Sequence, residues 1–184
     1  MNAFIYRMPA GIPGNVGRIQ ASTIEAMVIN NLLPPTRFGD PVTLATAGNG
    51  GVRPIASAAD VAGLMGFLVR PYPSHGSPLW PSDPLRDPVD STTQLPTAGA
   101  PPVSGICNIL RRGYISVAVA GPAQAVKNGQ VYVVTSAGTP AIPVGAIVAA
   151  AGANATAIPG AHFQGPQDAS GNCEISVFVG PTAT

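Results

Sequence analysis

This 184-residue chain is short of charge. Aspartate, glutamate, lysine and arginine together make up 9%, against roughly 25% in an average soluble domain. A lone cytosolic monomer keeps itself soluble with dispersed charge, so a surface largely covered by partners is expected, the alternative being a monomer with a neutral Ser/Thr/Asn surface. The formal net charge is +1, which excludes the strong basic field of a nucleic-acid binder. Aromatic residues reach 5% and are not interleaved with basic ones, so a single-strand nucleic-acid platform is excluded too. Lys127 is the single lysine. The other cations are arginines, whose planar forks suit interface pairing with carboxylates and backbone.

Long apolar runs are also missing. Residues 141–153 are alanine-rich and broken by Pro143, well under the ~20 residues a spanning helix needs; no membrane partner is expected. The start carries no apolar signal-peptide core. The two cysteines, Cys107 and Cys173, lack metal-like or redox-like spacing. They read as small buried apolar residues, with a disulfide open only if strands bring them together.

Catalytic and metal motifs are absent as well. His75 and His162 are far apart in sequence, and there is no nucleophile elbow, zinc-binding helix motif or phosphate loop. Gly11, Gly14 and Gly17 have the wrong spacing for a dinucleotide site. Asp83, Asp87 and Asp90 are separated by prolines and lack the glycine-centred calcium loop. The chain is expected to be no enzyme, with no cofactor and no metal.

What is abundant is glycine and proline, 22 and 21 residues. They punctuate short apolar stretches about ten residues apart, the pattern of an all-β sandwich or small barrel. Residues 1–18 read as an extended N-terminal arm. Residues 19–184 read as one β-domain with an irregular proline-rich insertion at about 74–102. The stretch 19–29 fits both a helical face and a strand; the extended flanks favour a strand. Residues 41–45 and 52–55 flank a glycine cluster and form a hairpin signal. An acidic turn at Asp60 leads into the run 63–69, a buried strand that exits through Arg70, Pro71, Tyr72 and Pro73. Residues 113–119 alternate as a strand, and Asn128-Gly129 is a strong hairpin signal before 131–134. Further short strands are expected around 142–148, 162–164 and 174–179, the last after a turn at 168–172. The insertion carries the sole tryptophan, Trp80, either as a partner anchor or folded back over its own core.

Ordered along the chain are Gly-x-Pro-Gly-x-Val-x-Arg (residues 11–18), Phe-Gly-x-Pro-Val (38–42) and Gly-Phe-Leu-Val-Arg-Pro-Tyr-Pro (66–73). Arg-Arg-Gly-Tyr-Ile-Ser-Val (111–117), Lys-Asn-Gly-Gln-Val-Tyr-Val (127–133), Ile-Pro-Gly-Ala-His-Phe-Gln-Gly (158–165) and Asp-Ala-Ser-Gly-Asn-Cys-Glu-Ile (168–175) follow. In this succession the chain resembles the structural cement, or capsid decoration, proteins of tailed bacteriophages. The resemblance implies a non-enzymatic virion protein on the outer capsid surface. It would bridge neighbouring major capsid subunits, act as a dimer or trimer, and be assembled in the host cytoplasm. The candidate capsid-contact residues are Phe4, Tyr6, Arg7, Arg18, Arg70, Tyr72 and Trp80. A tail-fibre or receptor-binding β-module is the alternative, with Trp80, Tyr72 and Tyr114 as the only candidates for the exposed aromatics its site would need.

Overall fold

A computed structural model describes residues 11–70, 101 and 103–180. Its elements are β1 (Thr23–Val28), β2 (Pro41–Leu44), β3 (Val52–Pro54), the short helix α1 (Ala58–Ala62), β4 (Leu64–Val69), β5 (Ile106–Ala120), β6 (Gln130–Val134), β7 (Ile147–Val148), β8 (Ala155–Phe163) and β9 (Asn172–Phe178). The protein is all-β, and its pairings close into a barrel.

The long strand β5 organises the fold. Its C-terminal half pairs with β9 on one edge, and its last residues pair in parallel with β7. Strands β7, β6, β8 and β9 then pair antiparallel in that order, which returns to β5 and closes a five-stranded barrel. Closure removes exposed strand edges, the main aggregation hazard of a β protein. Inward residues alternate along the strands, as a half-buried strand requires: Ile115, Val117 and Val119 from β5, with Cys173, Ile175 and Val177 from β9.

A second ring shares β5. Its N-terminal half pairs with β1 and with β4; β4 pairs with β2, and β2 with β3. A parallel bridge from Val52 to Ile29, just past β1, closes this ring. The β4–β5 wall feeds both cores. Phe67, Val69 and Leu110 face the barrel, while Leu68, Ile109 and Cys107 pack with Ile29, Phe38, Val42 and Val52. The run 63–69 is apolar throughout because it is buried on both faces, and each such side chain contributes roughly 1.5–3 kcal/mol. Gly66 lies where β4 crosses β5, with φ 150°. A Cβ there would collide with the Leu110 carbonyl oxygen, so this crossing admits glycine alone.

Several expectations need correction. The stretch at 19–29 opens as a 3-10 turn at Ile19–Ala21, and the strand begins only at Thr23. Asp60 is in α1 rather than in a turn; its carboxylate accepts hydrogen bonds from the Ala56 and Ser57 amides at 2.9 Å each, as an acid in a first helical turn does. The Asn128-Gly129 turn forms, with Asn128 at φ 63°. It does not join β5 to β6 as a hairpin, because the two-residue β7 lies between them. The expected strand around 142–148 shrinks to Ile147–Val148. Conversely, β5 starts seven residues earlier than the alternation at 113–119 indicates, and β8 is much longer than 162–164.

Candidate functional site

Of the seven candidate contact residues, Phe4, Tyr6, Arg7, Tyr72 and Trp80 lie outside the described residues, as do His75, Asp83, Asp87 and Asp90. Arg18 and Arg70 are described, and the fold uses them in opposite ways.

Arg70 directly follows β4 and is 3% exposed. Its Nε donates to the Pro13 carbonyl at 3.3 Å, its guanidinium carbon sits 4.6 Å from the Phe38 ring centroid, and its amide donates to the Gly14 carbonyl at 2.9 Å. The side chain is turned into its own domain, where it clasps the segment before β1. That segment runs beside β5: Gly14 and Gly17 donate to the Ser116 and Tyr114 carbonyls, and Ser116 donates back to Asn15. At Gly14, φ is 87° and an added Cβ would stand 2.6 Å from Phe38 Cβ. The Gly-x-Pro-Gly sequence therefore marks a tight crossing under Phe38 and Arg70.

Arg18 is at the surface. Its guanidinium lies 4.0 Å from the Tyr114 ring centroid and pairs with Glu174 at 3.2 Å. Both partners project from the outer wall of the barrel, where β5 and β9 run side by side. One row along that wall, Arg112 stands opposite Phe178 in register, 5.5 Å from its ring centroid. His162, on β8, is opposite Ser176 on the same sheet and is exposed.

A different surface marks the far end of the second ring. Val28 is opposite Ile106 in register, and both are exposed, as are Leu32, Leu33 and Val103. The two leucines are held rigidly. Buried Asn30 accepts hydrogen bonds from the Leu32 and Leu33 amides and donates to the Ala47 carbonyl at 2.8 Å; Asn49 donates to the Ile29 carbonyl at 2.9 Å. An asparagine that binds the backbone two and three residues on builds a defined turn. Apolar residues locked into an exposed turn lose little entropy on docking. The sequence signal for this turn is Leu-Leu between an asparagine pair and two prolines, more apolar than a solvated loop needs.

The chemistry elsewhere is sparse. Among the described residues no group of three or more His, Cys, Asp and Glu side chains is disposed to hold a metal ion. No described helix is long and apolar enough to cross a membrane. Cys107 and Cys173 are buried thiols in different cores, not bridged to each other, and burial pushes the Cys107 thiol up to about 11, which makes it an inert group.

A family model described as structural cement protein (E217 gp24/Pam3 gp6), a phage cement family, matches residues 2–178. The chain belongs to the phage structural cement protein family. The ordered motifs quoted above thus resemble the right group. Among solved structures, a chain from the capsid of Myoviridae phage XM1 is similar at 15% identity with a TM-score of 0.60, over 97% of this chain and 96% of that one. At that identity the likeness establishes a shared fold. Comparison with curated proteins gives no match. The cement protein is a structural, capsid-associated component of a phage, and its features are those of a contact-making body: a closed barrel, a rigid apolar turn and an arginine–aromatic wall.

Proposed function

We propose that this cement protein binds the outer surface of the phage capsid and bridges neighbouring major capsid subunits. The observation that carries the reading is the exposed apolar end formed by Val28, Leu32, Leu33, Val103 and Ile106. In a chain with 9% charged residues, such a patch is expensive to leave in water and is the signature of a protein interface. The two β-rings form the rigid body. The residues outside the described regions, with Phe4, Tyr6, Arg7, Tyr72 and Trp80, serve as arms that reach across the seams between capsomers. Arg18 contacts the capsid from the barrel wall, and Arg70 acts from within by seating the segment that leads to the N-terminal arm. Copies act as dimers or trimers, so that individually modest contacts repeat with the lattice and resist internal pressure together. The protein neither catalyses a reaction nor binds nucleic acid or membrane, and it joins the virion in the host cytoplasm.

The test is add-back of purified protein to capsids that lack it, read as bound copies and as particle melting temperature. Wild type should bind in numbers comparable with the major capsid protein and raise the melting temperature. The double variant Leu32→Ser/Leu33→Ser should keep its own fold, since both side chains are in water, and lose most of the binding. Occupancy of a few copies per particle would overturn the reading and favour a tail component.

A further inference from the structure

Arg112 is set apart from the other described arginines. Arg18, Arg37, Arg53 and Arg111 each pair with a carboxylate of the same chain, and Arg70 is buried against Pro13 and Phe38. Among the described residues, the Arg112 side chain makes no hydrogen bond or ion pair; its one recorded partner is the Phe178 ring. Phe178 is itself 57% exposed. The pair lines a groove of about 480 Å³ on the barrel wall. One side of the groove is the chain from Gln20 to Thr23, the other is Ser176 to Phe178, and the floor is Arg112 to Tyr114.

We propose that this groove is the docking site for an extended segment of the capsid subunit that carries an aspartate or glutamate beside an apolar side chain. The inference rests on the capsid-binding reading above and deepens it. The argument for an acidic occupant is charge complementarity. Glu174, on the same wall, is already engaged by Arg18, so among the described residues Arg112 is an uncompensated cation in the groove. The Phe178 ring lies within cation–π range of the guanidinium, and that contact occupies none of the N–H groups a bidentate carboxylate would use. Arginine and aromatic residues at the centre of a groove are the composition of interface anchors. The polar side chains of Ser22 and Ser176 and the exposed Phe178 ring supply a rim and an apolar shelf for the same segment.

The experiment uses the full-length protein and capsids that lack it, with bound copies measured against protein concentration at low and raised salt. Arg112→Glu should weaken binding about tenfold or more and Arg112→Gln by less, as for a close interfacial charge pair. The Gln variant should also lose part of the wild-type salt dependence. Lys127→Glu applies the same charge reversal at an exposed site away from the groove and should bind as wild type. All variants should melt as wild type, because both side chains are exposed. If Arg112→Glu and Arg112→Gln bind like wild type, or Arg112→Glu binds tighter, the groove assignment is wrong while the capsid-binding reading stands. An equal loss for Lys127→Glu likewise overturns the assignment, because bulk charge would then be the cause. If wild type itself fails to bind, the capsid-binding reading falls and the groove with it.

Discussion

The Arg53 guanidinium forks onto the Asp60 carboxylate, with its two terminal nitrogens 2.6 Å and 3.0 Å from the two oxygens. The pair ties the end strand of the second ring to α1, which leads directly into β4. Burial works against the charge on Asp60. It is outweighed by the Arg53 hydrogen bonds, the Ala56 amide, the Arg53 charge and the Ser57 side chain, which together hold the carboxyl below its ordinary value.

Replacing Asp60 by alanine should therefore cost roughly 1–3 kcal/mol, the sum of a lost cap and a lost two-pronged ion pair. Because the folded-state value is depressed, this stabilisation is complete above the ordinary aspartate range and is lost as pH falls through the folded-state value. Urea unfolding at pH 7 and at pH 3 should show a larger difference between wild type and Asp60→Ala at the first than at the second.

Asp40 should behave in the opposite sense. Burial raises its carboxyl to about 6, more than the charge and hydrogen bond of Arg37 at 2.9 Å lower it. A folded-state value above the unfolded one makes the ionised group a liability. The cost is absent below about pH 4, grows through about pH 6, and is fully expressed above it. Asp40→Asn should thus be neutral at pH 4 and more stable than wild type at pH 8, by up to about 3 kcal/mol. Melting curves across that range would check it; a variant less stable than wild type at pH 8 would show that the Arg37 pair wins after all.

Gly66→Ala should be among the most damaging single changes in the second ring. The new Cβ would collide with the Leu110 carbonyl oxygen, in a backbone conformation with φ 150° that side chains rarely adopt. Strain and overpacking together should cost roughly 3 kcal/mol or more, read as the midpoint of denaturant unfolding. Gly50→Ala makes a useful contrast. Its φ is also positive, at 69°, but nothing lies within 4 Å of the added Cβ, so its loss should be clearly smaller.

Truncation at two points should separate arm from body. Removing residues 2–10 leaves intact every hydrogen bond that residues 14–17 make with β5 and with Arg70. Removing residues 2–17 strips them and uncovers the Arg70 side chain, which the fold keeps buried. The shorter deletion should melt close to wild type, and the longer one should melt several degrees lower. Equal melting temperatures would mean that the 14–17 segment adds nothing to the body.

The sequence by itself determined the fold class, the turns at 128–129 and 168–171 and the family. These are local properties: glycine, proline and asparagine impose backbone conformations wherever they stand, and alternation marks a half-buried strand. The run at 63–69 shows where locality ends. Its apolar content announced a buried strand, but that Phe67 and Leu68 face two different cores follows only from the placing of β4 beside β5. The parallel contact of β5 with β7 displaced the expected hairpin for the same reason. A turn signal says that the chain reverses, while barrel closure decides which strand it meets. Contact residues followed the same division. Arg70 and Arg18 look alike in sequence, yet one is folded inward over Phe38 and the other stacks on Tyr114 at the surface. Arg112 and Phe178 became neighbours only through the β5–β9 register, because cross-strand packing is set by burial of the opposite face and not by anything near either residue in the chain.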